Sequence, residues 1–198
     1  MGTKSKSAPL FPILLLGTLV VTLSFLVIST RTAKQTSVRA ATSTCTNYQY
    51  SSKWGTYGTA NGQFTNPGGA FIKDNYIYIA EATANRVQQL TLTGSYVRTF
   101  NAPGAFDVAV DSVGNVYVTD YFNNRLYKFA SGGNLLSQIT TGTHPVGVAV
   151  DSSDNVYIGE EVGLLIKKFS SSGSLLASWS AGNTPGRMAV FGTNLYVL

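Results

Sequence analysis

A period of about 40 residues constrains this chain more than any other feature. Tyr78, Tyr117, Tyr157 and Tyr196 recur at steps of 39, 40 and 39, each between apolar neighbours. Gly94, Gly133 and Gly173 recur at 39 and 40, and so do Leu90, Phe129 and Phe169. Phe100, Ile139 and Trp179 form a further series. The stretch Ala105 to Ile139 shows one whole unit: Asp107-Val-Ala-Val-Asp111, Gly114-Asn-Val-Tyr-Val-Thr-Asp120, Asn123-Asn-Arg-Leu-Tyr-Lys-Phe129 and Leu135-Leu-Ser-Gln-Ile139. Each run alternates apolar and polar residues between Gly, Asn, Asp or Ser, which is the pattern of half-buried strands joined by tight turns. One small meander cannot bury its own faces, so the units must stack on one another. The period therefore predicts an all-β protein, a β-propeller of four-stranded antiparallel blades.

Val108-Ala-Val-Asp111 followed by Gly114-Asn-Val-Tyr-Val-Thr-Asp120 and Asn124-Arg125 resembles an NHL repeat. Pro145-Val-Gly-Val-Ala-Val-Asp151 with Asn155-Val-Tyr-Ile158 resembles it too, and Asn61-Gly-Gln-Phe64 with Pro67-Gly68 resembles the entry to the same unit. The resemblance covers Gln63 to Leu198 and implies a propeller, mostly of six blades in similar proteins. It says little about activity, because such propellers serve in protein or RNA binding, in extracellular sensing and in lyase chemistry.

The full repeats span roughly Phe64–Phe100, Asn101–Ile139 and Thr140–Trp179. A fourth supplies Met188-Ala-Val190 and Asn194-Leu-Tyr-Val197 as two inner strands, giving about 3.5 blades. Six blades need about 240 residues, so the favoured expectation is the front part of a longer propeller. A four-bladed ring is the alternative. Asn47 to Trp54 is expected to act as an outer strand lent to the last blade, closing the ring and removing an exposed edge.

Ahead of the repeats, residues 1–9 form a basic start and Leu10 to Ile28 runs for 19 residues without a charge. As a helix it measures about 28 Å, enough to cross a bilayer core. Its length favours a retained transmembrane anchor over a cleaved signal, although Val38-Arg-Ala40 offers a small-residue cleavage site. Residues 29–46 read as a flexible linker, and 47–198 as the propeller. Cys45 is the only cysteine, so no internal disulfide forms. The expected location is the membrane, with the propeller outside the cytoplasm, or secretion.

The formal charge of +5 belongs to this leader. Lys4, Lys6, Arg31, Lys34 and Arg39 stand in a segment without acids, and the remainder balances nine bases with nine acids. A neutral body has no long-range attraction for phosphate, so no nucleic acid partner is expected.

If the strands run antiparallel from the axis outward, loops between second and third strands share a face with the links between blades. Glu81–Asn85, Asp120–Asn124 and Glu160–Gly163 lie there with Thr65–Pro67, Asn101–Pro103 and Gly142–Pro145. Long loops with aromatic and charged side chains make that face the expected binding surface. Glu81, Tyr121, Phe122, Asn123, His144, Glu160 and Glu161 are its candidate residues. Asp120, Asn124 and Arg125, matched by Asn85 and Arg86, read as a structural corner in which a carboxylate and a guanidinium pin the turn. The third repeat lacks the Asn-Arg pair, so Glu160 and Glu161 have no evident partner in the sequence.

No catalytic residue, metal site or cofactor is expected. There is no Gly-x-Ser-x-Gly elbow, phosphate loop or cluster of metal ligands. Some lyases with similar repeats hold zinc with several histidines, a set that one histidine and one cysteine cannot supply. The chain reads as a non-enzymatic binding or scaffold module for a protein, peptide or glycan. The alternative is a fragment of a six-bladed lyase- or lactonase-type enzyme whose catalytic residues lie in further blades.

Overall fold

The computed structural model describes residues 53–198, which fall within one structural unit, Ser51–Leu198. The readings of residues 1–9, 10–28 and 29–46 lie outside the described residues, as does most of Asn47–Trp54. Among the described residues no helix is long and apolar enough to cross a membrane.

Every regular element described is a strand. β1 (Thr56–Tyr57) and β2 (Gln63–Phe64) make a short parallel pair. The first blade is β3 (Pro67–Lys73), β4 (Tyr76–Glu81), β5 (Arg86–Thr91) and β6 (Tyr96–Asn101). The second is β7 (Ala105–Val110), β8 (Val116–Asp120), β9 (Arg125–Phe129) and β10 (Leu135–Thr140). The third is β11 (Thr143–Val150), β12 (Val156–Val162), β13 (Leu165–Phe169) and β14 (Leu175–Ser180). Each is an antiparallel sheet in sequence order, and β15 (Met188–Phe191) pairs with β16 (Asn194–Val197) as a fourth, two-stranded sheet. The first strands β3, β7, β11 and β15 are neighbours in that order. The sheets therefore follow one another as propeller blades do.

The period-two alternation explains the core. In the second blade Val108, Val110, Val116, Val118 and Phe129 pack against Tyr78, Val87 and Phe100 of the first. The intervening Ala109, Tyr117 and Leu126 pack against Val148, Val156, Ile158 and Phe169 of the third. Both sheet faces are thus buried, each large side chain contributing about 1.5–3 kcal/mol. Phe100 meets Phe129 edge-on at 5.7 Å, which adds about 0.5–1.5 kcal/mol across the first blade junction.

The turns follow from side-chain chemistry. Asp111 accepts the amides of Val113 and Asn115 at 3.1 and 2.8 Å, and Asp151 accepts those of Ser153 and Asn155, both at 2.9 Å. These carboxylates close the first hairpin of their blades. The turn glycines have a second role. Gly173 sits against Ile139 of β10, and Gly94 sits against the Trp54 ring, where a Cβ would overlap its neighbour. Relative to the first blade, Trp54 thus holds the place that β10 holds relative to the third, although Trp54 itself is not in a strand.

Candidate functional site

Three carboxylates stand at one repeat position, Glu81 and Asp120 ending β4 and β8 and Glu160 two residues before the end of β12, and all are at most 1 % exposed. Each meets the side chain seven residues on. Gln88 Nε2 donates to Glu81 at 2.8 Å, the Tyr127 hydroxyl to Asp120 at 2.8 Å, and Lys167 Nζ lies 2.9 Å from Glu160. Link amides add to this: Thr65 N–H donates to Glu81 at 3.1 Å and Gly142 N–H to Glu160. Burial and the bond to Asp120 push the Tyr127 hydroxyl up to about 12. The amide bonds join the Glu81 and Glu160 corners to their preceding links, and both of these carboxylates are buried rather than presented on the face.

The expected guanidinium pairing holds in one repeat only. Arg86 Nε donates to Glu81 at 2.9 Å, while its Nη1 and Nη2 donate to the Thr59 and Gln63 carbonyls, both at 2.8 Å. Asp120 and Arg125 do not pair. Asn123 and Tyr127 already occupy that carboxylate, and exposed Arg125 donates to Gln138 Oε1 at 2.8 Å. In the third repeat Lys167 supplies the partner that the sequence did not reveal.

The corner asparagines have a different function from the arginines. Asn85 and Asn124 adopt φ of 55° and 57°, a left-handed conformation that Asn tolerates. Asn85 Oδ1 accepts the Gly104 amide at 3.0 Å and Asn124 Oδ1 accepts the His144 amide at 2.9 Å. Each corner thereby fixes the next link.

On this scaffold the face between the second and third blades carries a stack of rings. Phe106 lies on Tyr121 at 5.3 Å and 27°, and Tyr121 lies on His144 at 4.5 Å and 21°. Phe122 meets Tyr121 edge-on at 5.2 Å and is 67 % exposed. The Tyr121 hydroxyl donates to Glu161 Oε2 at 2.6 Å, and His144 Nδ1 lies 3.8 Å from the same oxygen. That bond raises the Tyr121 hydroxyl above its ordinary range. His144 has φ of 55° where the preceding repeat has Gly104 at 64°. A left-handed non-glycine costs about 1–2 kcal/mol, and such strain concentrates at functional positions.

At the other end of the stack, the Arg187 guanidinium lies over Phe106 at 5.8 Å and its Nη1 is 2.9 Å from Asp107 Oδ1. Asp107 also accepts the Val148 amide at 3.0 Å. Burial raises its carboxyl above the ordinary value, against the pull of the Val148 amide and Arg187.

The structure thus brings Tyr121, Phe122, His144 and Glu161 together, puts Asn123 beside them as a cap on Asp120, and sends Glu81 and Glu160 inside. Phe106, Asp107 and Arg187 were missed by sequence reasoning. The available signal was positional: Gly69, Asp107, Gly147 and Arg187 each stand two residues before the residue that pairs with a recurring tyrosine, Phe71, Ala109, Ala149 and Ala189. Among the described residues no group of three His, Cys, Asp or Glu is placed to hold a metal.

The fold defines a β-propeller-type repeat protein, and comparison with solved structures agrees. A streptogramin B lyase structure matches with a TM-score of 0.59 and 18 % identity over 68 % of this chain and 48 % of that one. A catalytically inactive virginiamycin B lyase from Staphylococcus aureus, with quinupristin, matches at 0.58 and 20 % over 68 % and 50 %. A chain of a nidogen/laminin complex matches at 0.59 and 19 % over 68 % and 56 %. These likenesses show the fold alone, and the chain spans about half the length of the structures it matches. No protein-family model and no curated protein sequence matches the chain.

Proposed function

We propose that this chain is an NHL-type propeller module, held at a membrane through residues 10–28 or secreted, that binds a protein or peptide segment without chemical turnover. The observation that carries this reading is Phe122. It is a large apolar side chain, 67 % exposed, braced by Tyr121, whose hydroxyl in turn donates to the partly exposed Glu161 carboxylate. An apolar anchor next to a carboxylate suits a segment presenting an apolar side chain beside a Lys or Arg. The ring stack and the backbone of His144 hold this patch rigid, which lowers the ordering cost of binding.

The test uses the labelled full-length chain in detergent on arrays of basic-aromatic peptides, acidic peptides and neutral glycans. Binding confined to the basic-aromatic set, and lost in Phe122→Ala and in Glu161→Gln at unchanged melting temperature, supports the reading. Glycan binding, or peptide binding indifferent to both substitutions, sinks it.

A further inference from the structure

The far face of the first blade junction carries a second, unrelated feature. Across each blade runs one transverse row of paired residues facing the next blade. In the second blade it is Ala109, Tyr117, Lys128 and Ser137, and in the third Ala149, Tyr157, Lys168 and Ala177. In both, an aspartate two residues beyond the alanine accepts the tyrosine hydroxyl: Asp111 from Tyr117 at 3.3 Å, Asp151 from Tyr157 at 3.0 Å. The lysine covers the ring, at 5.3 Å for Lys128 and 5.0 Å for Lys168, and Lys168 also lies 3.3 Å from Asp151. Aspartate, tyrosine and lysine fill the cleft between blades.

The first blade breaks this pattern at both charged positions. Its row is Phe71, Tyr78, Gln89 and Arg98, so Gln89 stands in the lysine's place and the cation moves outward to β6. Counting two residues beyond Phe71 gives Lys73, so a cation stands where the other blades have Asp111 and Asp151. What remains is a cavity of about 300 Å³ lined by Lys73, Asp74, Tyr78, Gln89, Arg98 and Ser131, among others.

Its hydrogen bonding is incomplete. Gln89 is 5 % exposed, and its Oε1 and Arg98 Nε are the two buried side-chain atoms without a partner among the described residues. Gln89 Nε2 donates to the Tyr78 hydroxyl at 3.0 Å, which leaves that hydroxyl's own proton to give away. Arg98 is held in place by its Nη1 bond to the Ser131 carbonyl at 2.7 Å. An unpartnered buried polar atom is costly, so a group that satisfies both atoms is favoured there.

We propose that this cleft is a binding site for a small carboxylate bearing a neighbouring O–H or N–H donor. The ligand's carboxylate takes the role that Asp111 and Asp151 play in the other blades. It accepts from the Tyr78 hydroxyl and Arg98 Nε beside the Lys73 ammonium, while its hydroxyl or amine donates to Gln89 Oε1. A carboxylate fits because the same fold already places one against the equivalent tyrosine twice. Sugar acids and amino or hydroxy acids share this chemistry. The site lies at the hairpin end of the blades, opposite the ring stack, and does not depend on the function proposed above.

The test is calorimetric titration of the full-length chain in detergent with D-glucuronate, L-serine, acetate and D-glucose. Saturable binding of glucuronate or serine, at least tenfold tighter than acetate and undetectable for glucose, is expected, and the stronger of the two identifies the ligand class. Lys73→Asp returns a carboxylate to the cleft from an exposed hairpin, so it is expected to abolish binding while the melting temperature holds or rises. Gln89→Leu is expected to bring the preferred ligand down to the acetate level. Binding of none of the four, equal binding of acetate, or glucuronate and serine affinities unchanged in Lys73→Asp overturns the proposal.

Discussion

Arg187 of the link before β15 reaches back eighty residues to Asp107 of β7, its Nη1 2.9 Å from the buried Oδ1. The contact joins the second blade to the two-stranded fourth, past the third, where the equivalent residue is Gly147. Its energetics follow from burial. Asp107 is 4 % exposed and raised above its ordinary range chiefly by burial, with the Val148 amide and Arg187 opposing. A raised carboxyl means that ionisation costs stability. The penalty is absent below about pH 3.8 and grows as pH rises through the folded value. Arg187→Met removes the cation and deepens the penalty. Urea unfolding is expected to show a loss of about 1–2 kcal/mol at pH 7 and less near pH 4.

Leu164 adopts φ of 52° in the place where Asn85 and Asn124 stand in the earlier repeats. It carries the left-handed cost without the asparagine's cap on the next link. Leu164→Asn is expected to stabilise the domain by about 1 kcal/mol, read as a rise in melting temperature of about 2–4 °C. A fall would mean that Leu164 packing outweighs the backbone term.

Glu160 is 1 % exposed, with Lys167 Nζ at 2.9 Å. Lys167→Met strands a buried carboxylate; Asp120, met by Asn123 and Tyr127, shows that this position need not be met by a cation, only by donors. The single substitution is expected to cost about 3 kcal/mol, and adding Glu160→Gln is expected to recover more than half of that. Denaturant midpoints of the four proteins of this cycle measure the coupling directly.

Asp151 gives the acid dependence. Burial alone would raise its carboxyl, but hydrogen bonds from Asn155, Tyr157 and Ser153 outweigh it and hold the group down to about 2. A lowered carboxyl contributes stability above its unfolded value near 3.8, lost as pH falls toward 2. Asp151→Asn is expected to remove roughly 1–2 kcal/mol at pH 7 and to flatten the stability profile between pH 4 and 2, followed by thermal melts.

Most of the fold was written in the sequence because it depends on local terms. A strand with alternating polarity, a turn closed by Asp111 or Asp151 and a glycine at the third hairpin each need only a few neighbouring residues. Repeating them every 40 leaves blade-on-blade stacking as the way to bury both faces of Tyr117's sheet. The ring residues Tyr121 and Phe122 were legible for the same reason, since they interrupt an otherwise polar corner.

Tertiary structure alone decided which charges face water. Glu160 and Glu161 are adjacent and chemically alike, yet one is sealed against Lys167 and the other stands beside His144, because strand pairing turns consecutive residues to different surroundings. The Arg187–Asp107 contact, and the cleft that opens where Lys73 and Gln89 replace an aspartate and a lysine, depend on how blades meet. Such meetings bring together residues about 40 or 80 positions apart, and no run of sequence short enough to read as a motif contains both partners.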